Sequence, residues 1–159
     1  MGLDAFVYCD CYEKGKLKTQ PPDPELVYVD KNGRVDCRNC SDEQLDSFDL
    51  WVESQPCEHE EFTLADCYVG NAWLVRQFHE VLVREHWKFP VILFKVLYNG
   101  THTGDAVYRD DILCIEKELN ELKKFKCDDP EMNEWLRDFR KGLSLVVKAA
   151  LKVDKPIVF

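Results

Sequence analysis

The apolar run Leu3-Asp4-Ala5-Phe6-Val7-Tyr8-Cys9 reads as a buried first strand. Gly15 and the Pro21-Pro22-Asp23-Pro24 cluster then mark a loop. Two short apolar segments, 26–30 and 35–37, flank Asn32-Gly33, a pair that signals a two-residue hairpin turn. Ser41 followed by Gln44 has the spacing of a capping box and predicts a helix from there to about Ser54, with Leu45, Phe48, Trp51 and Val52 on its inner face. Pro56 ends it, and a polar stretch runs from Cys57 to Thr63. A second helix is expected from Asn71 to about His86, burying Leu74, Phe78, Val81 and Leu82. Val91–Tyr98 is almost wholly apolar and is expected to be a central strand covered on both faces, with the polar Asn99–Asp105 loop at its end.

Asp110 or Asp111 is expected to cap a third helix reaching about Lys124, with Leu113, Leu119 and Leu122 turned inward. Asp129 as N-cap with Pro130 at the first helical position opens a long fourth helix. Its apolar stripe is Met132, Trp135, Leu136, Phe139, Leu143, Val146 and Val147, and Ile157–Phe159 reads as a short last strand. These elements do not alternate regularly between strand and helix. The expected class is therefore α+β: one domain over 1–159, a mixed sheet with about four helices packed on it.

Length agrees, since 159 residues suit one domain large enough to bury a core without staples. No segment approaches the roughly 20 consecutive apolar residues of a membrane span, so no membrane association is expected. The start, Met1-Gly2-Leu3-Asp4-Ala5-Phe6, lacks the basic region and cleavage site of a signal peptide, and Phe6 spoils a myristoylation signal. A cytoplasmic location is the expectation. The eight cysteines are then expected to be reduced thiols or metal ligands rather than a disulfide framework.

The net charge of −9 disfavours nucleic-acid binding. Its distribution is more informative. Between Arg38 and Arg76 there is no Lys or Arg but nine acids, whereas the rest of the chain carries 21 acids against 21 bases. The segment 42–66 is either a solvated helix face with its loop, or a surface that steers a basic protein partner.

Several segments carry a likeness: Met1-Gly2-Leu3-Asp4-Ala5, Cys9-Asp10-Cys11 with Glu13-Lys14-Gly15, Cys57-Glu58-His59-Glu60, Phe89-Pro90-Val91-Ile92, Tyr98-Asn99-Gly100-Thr101-His102 with Gly104-Asp105, and Lys155-Pro156-Ile157-Val158-Phe159. Together they resemble a family of small uncharacterised bacterial proteins over nearly the full chain. The resemblance implies a bacterial cytosolic origin and no particular activity. The Met-Gly-Leu opening is also similar to that of some bacterial immunity proteins.

Three constellations carry chemistry. Zinc takes four soft ligands, usually as two close pairs. Cys9-x-Cys11, Cys37-x-x-Cys40 and Cys57-x-His59 are the available pairs. A helix over about 42–54 would hold its ends roughly 18 Å apart, and residues 55–57 reach back only ~10 Å, so Cys40 and Cys57 are not expected to share an ion. The preferred zinc ligands are Cys9, Cys11, Cys57 and His59, with Cys9, Cys11, Cys37 and Cys40 as the alternative set. The second constellation is the Asn99–Asp105 loop, where His102 as general base oriented by Asp105 would suit a small hydrolase, or the two would simply satisfy a tight turn. The third, His79-Glu80, starts like a zincin helix, but position 83 is Val and that reading fails. Cys114 is expected in the core of its helix. Two function classes follow: a non-catalytic interaction protein with a structural zinc and an acidic partner-binding surface, of the kind an immunity-type inhibitor of a basic toxin would have, or a small metal- or histidine-dependent hydrolase.

Overall fold

A computed structural model describes residues 2–98 and 105–159. Strand β1, Gly2–Tyr8, alternates as a half-covered strand must: Leu3, Ala5 and Val7 are buried, while Phe6 and Tyr8 are half-buried. The hairpin forms as β2, Val27–Val29, and β3, Val35–Cys37. Its turn is one residue longer than expected. The Asp30 N–H donates to the Arg34 carbonyl and the Gly33 N–H to the Asp30 carbonyl, leaving Lys31, Asn32 and Gly33 as a three-residue loop. Gly33 takes φ +84°, and a Cβ there would stand 2.8 Å from the Lys155 side chain, so both conformation and space require glycine.

Helix α1, Asp42–Glu53, starts at the expected capping box, with both reciprocal hydrogen bonds of Ser41 and Gln44 present. Its buried contacts are Phe48 and Trp51; Leu45, expected inside, is 43% exposed. A short 3-10 turn, Glu60–Phe62, leads into β4, Thr63–Asn71, which the sequence pattern leaves unassigned. Helix α2, Ala72–Leu82, begins with Asn71 as N-cap and passes into a 3-10 stretch, Val83–Lys88.

The expected central strand at 91–98 is helical instead: Ile92–Leu97 forms a π-helical turn. An apolar run of this length reads equally well as a buried strand or a buried helix. Tertiary structure decides, because both carboxylate oxygens of the buried Glu118 accept the N–H groups of Val91 and Ile92 and so complete the helical N-terminus. The residues that follow are β5, Ala106–Val107; α3, Arg109–Leu122; α4, Pro130–Val153; and β6, Ile157–Val158. Tyr108, rather than Asp110 or Asp111, is the N-cap of α3, and the two acids lie in its first turn. Ile112, Ile115 and Leu119 face inward there; Leu113 and Cys114, both expected inside, are exposed.

The class is α+β, as expected. The main sheet runs β4-β1-β6-β5, and its pairings are antiparallel throughout rather than mixed. The C-terminal strand thus sits inside the sheet, Phe6 opposite Val158. One face of the sheet, Leu3, Ala5, Val7, Cys67 and Val69, packs with the buried stripes of α2, α3 and α4 into the larger core. Gly142 lets α4 approach β4 closely: a Cβ there would lie 3.0 Å from that of Cys67. A second, smaller core lies between the hairpin, α1 and the 3-10 turn: Cys9, Cys11, Val35, Phe48, Trp51, Cys57 and Phe62. No helix among the described residues is long and apolar enough to cross a membrane.

Candidate metal centre

β1 ends at Tyr8, and the chain enters a tight turn in which Lys14 N–H donates to the Asp10 carbonyl and Lys16 N–H to that of Cys11. Asp10 and Lys14 also form an ion pair across this turn. It turns the side chains of Cys9 and Cys11 into the smaller core, 1% and 2% exposed. The second pair comes from the segment ahead of the 3-10 turn. Here the Cys9 N–H donates to the Phe62 carbonyl at 2.6 Å, which fastens the two segments together. Cys57 is fully buried, and His59 is half-buried at the rim.

The ligand atoms of Cys9, Cys11, Cys57 and His59 all lie within 4.8 Å of one another. Cys9 Sγ is 3.9 Å from Cys57 Sγ, Cys11 Sγ is 3.4 Å from His59 Nδ1, and Cys57 Sγ is 4.0 Å from the same nitrogen. A tetrahedral ion bound through sulfur at ~2.3 Å and nitrogen at ~2.05 Å would set edges of about 3.8 Å between sulfurs and about 3.6 Å between sulfur and nitrogen. These three separations match the edges of such a tetrahedron, and the remaining ones stay within 4.8 Å. The quartet could hold a metal ion, as its sequence spacing implies.

Burial pushes the thiols of Cys9 and Cys11 above the ordinary cysteine range. Thiolates in such a pocket need a cation, and a divalent ion supplies that compensation while displacing the protons. The backbone amide nitrogen of His59 lies 3.4 Å from Cys57 Sγ, where its N–H can donate to a thiolate. On the solvent side, Nε2 of His59 is 3.8 Å from the exposed Glu58 carboxylate, beyond hydrogen-bond distance.

Lys155 enters the sequence reading only within the Lys155–Phe159 segment, where nothing assigns it a role. Its ammonium is buried and donates to the Cys9 carbonyl at 2.6 Å, to Glu13 Oε2 at 2.8 Å and to the Gly33 carbonyl at 3.0 Å. It thereby ties the cysteine loop and the hairpin to the end of α4.

The remaining candidates are placed elsewhere. Cys37 and Cys40 lie beside each other, close enough to bond, and among the described residues the cluster that could hold a metal does not include them, so the alternative zinc set is not assembled. His102 lies outside the described residues. The carbonyl of Asp105 accepts the Phe159 N–H. The premise that put a ligand loop there, a preceding central strand, is gone now that Ile92–Leu97 is helical. Burial, with the charges of Asp66 and Asp4 adding to it, pushes the Cys67 thiol up to about 12, so Cys67 behaves as a small core residue. All nine acids of the segment 42–66 are exposed.

Comparison with protein-family models, curated proteins and solved structures finds no match for this chain.

Proposed function

We propose that this chain is a non-catalytic interaction protein in which one zinc ion, held by Cys9, Cys11, Cys57 and His59, fixes a surface that an acidic segment presents to a basic partner. The observation that carries the metal part is the ligand geometry: three buried sulfurs and one imidazole nitrogen within 4.8 Å of one another. Three thiolates and an imidazole in a tetrahedral set suit zinc among the common divalent ions. Four protein ligands leave no open position for substrate or water, which supports a structural rather than a catalytic role. The nine exposed acids between Arg38 and Arg76 support a basic partner, and inhibition of a basic toxin by an immunity-type protein is a function of this kind.

The test is elemental mass spectrometry on untagged protein purified under reducing conditions without chelator. About one zinc per chain is expected, falling well below stoichiometry in Cys57→Ser. Protein that is folded yet free of any metal would sink the zinc assignment.

A further inference from the structure

The uncovered face of the main sheet is not a flat solvent surface. Between it, α1 and the 3-10 turn lies a groove of about 820 Å³, within the range of roughly 300–1,000 Å³ typical of ligand sites. Four aromatic side chains line it, of which Phe6 and Tyr8 are half-exposed and Phe48 and Phe62 buried. Phe6 and Tyr8 come from β1, in edge-to-face contact at 5.3 Å; Phe48 comes from α1 and Phe62 from the 3-10 turn. Carboxylates stand among them: Asp49 and Glu53 on α1, Glu60 and Glu61 on the turn, and Asp66 on β4. None of these five forms an ion pair with a described residue, and among the described residues Arg34 is the only basic side chain lining the groove.

Resting on the interaction reading above, we propose that this groove docks an extended segment of a partner protein in which Lys or Arg residues alternate with apolar ones. Charge complementarity selects the occupant. Five carboxylates against one guanidinium repel an anion and leave several cations to be accommodated. The half-exposed rings of Phe6 and Tyr8 attract the stems and charged heads of Lys and Arg and take up the apolar residues between them. The groove also sorts the acidic segment. Asp49, Glu53, Glu60, Glu61 and Asp66 line it, whereas Asp42, Glu43 and Asp46 on the same segment do not.

The experiment is binding of a short dye-labelled peptide of alternating lysine and leucine to the zinc-checked, full-length protein, read by fluorescence anisotropy at several salt concentrations. The variant carrying Asp49→Asn, Glu53→Gln, Glu60→Gln, Glu61→Gln and Asp66→Asn is expected to weaken Kd by at least about tenfold and to flatten the salt dependence. Asp42→Asn with Glu43→Gln and Asp46→Asn should change Kd little. Phe6→Ala should weaken binding while leaving the salt dependence as it was, with circular dichroism confirming the fold. Equal losses from both acid sets would overturn the groove and leave only a diffuse acidic surface. Spermidine competing as well as the unlabelled peptide would replace the peptide with a small polycation. Absence of peptide binding in protein with its full zinc complement would overturn the groove and the basic partner together, without touching the metal assignment.

Discussion

Glu118 shows how one side chain can settle the conformation of a distant segment. It is 6% exposed on α3, yet both its oxygens are used by the backbone of Val91 and Ile92. Glu118→Ala removes the acceptors of two amides and should cost about 1–3 kcal/mol in urea denaturation. Burial outweighs those two hydrogen bonds and raises the carboxyl above its ordinary value of 4.5. The sign of the pH effect follows. Below that value the acid is protonated in both folded and unfolded chains. As pH rises, the unfolded chain ionises first, so the stability Glu118 contributes is lost up to its raised folded value. Wild-type stability should therefore fall relative to Glu118→Gln as pH rises through that window, and denaturation midpoints measured at several pH values read the difference.

Between elements, the tie that matters most is Lys155. One ammonium holds the loop after β1, the turn of the β2–β3 hairpin and the residue that follows α4's C-cap. Lys155→Met keeps the length of the stem but leaves two carbonyls and a carboxylate without their donor. The expected loss is about 1–3 kcal/mol in chemical denaturation. Glu13→Gln should cost much less, because that carboxylate is 40% exposed and solvent already screens the pair. Equal losses from the two substitutions would mean that the carbonyl contacts contribute nothing.

The molecule as a whole has two cores of unequal strength. The larger one is filled by the stripes of α2, α3 and α4 and the inner face of the sheet. The smaller has seven buried members, and three of them, Cys9, Cys11 and Cys57, are metal-site thiols. Phe48, Trp51, Phe62 and Val35 supply most of its apolar burial, each worth roughly 1.5–3 kcal/mol, so an ion is the natural staple for the rest. On the zinc proposal, a chelator should loosen this part selectively, since a bound ion would stabilise only the fold that binds it. Hydrogen exchange is expected to quicken at residues 9–16 and 57–62 while the amides of α4 stay protected. Uniform acceleration across both cores would contradict this division.

Elements governed by near neighbours are legible in the amino-acid order: β1, the hairpin, the Ser41 and Asn71 caps, the Asp129-Pro130 start of α4 and the last strand all rest on local chemistry. The quartet that could hold a metal is one of the sets the spacing offers, but three close pairs are available and the fold decides which two meet. What local patterns miss depends on partners far along the chain. β4 is a strand because β1, some sixty residues earlier, offers it a ladder. Val91–Tyr98 has an apolar pattern that fits two periods, and Glu118 selects the helix. The site of Lys155 and the groove of Phe6, Phe48 and Phe62 exist only once the sheet, α1 and the C-terminus meet. The Ser41 box, the Asp129-Pro130 start and the stripe of α4 are settled within a few positions, whereas the start of α3 and the exposure of Leu45 and Leu113 are not. Pairing across long loops, burial of charge and the shape of the groove belong to the folded chain, because their energies arise from contacts that no local pattern encodes.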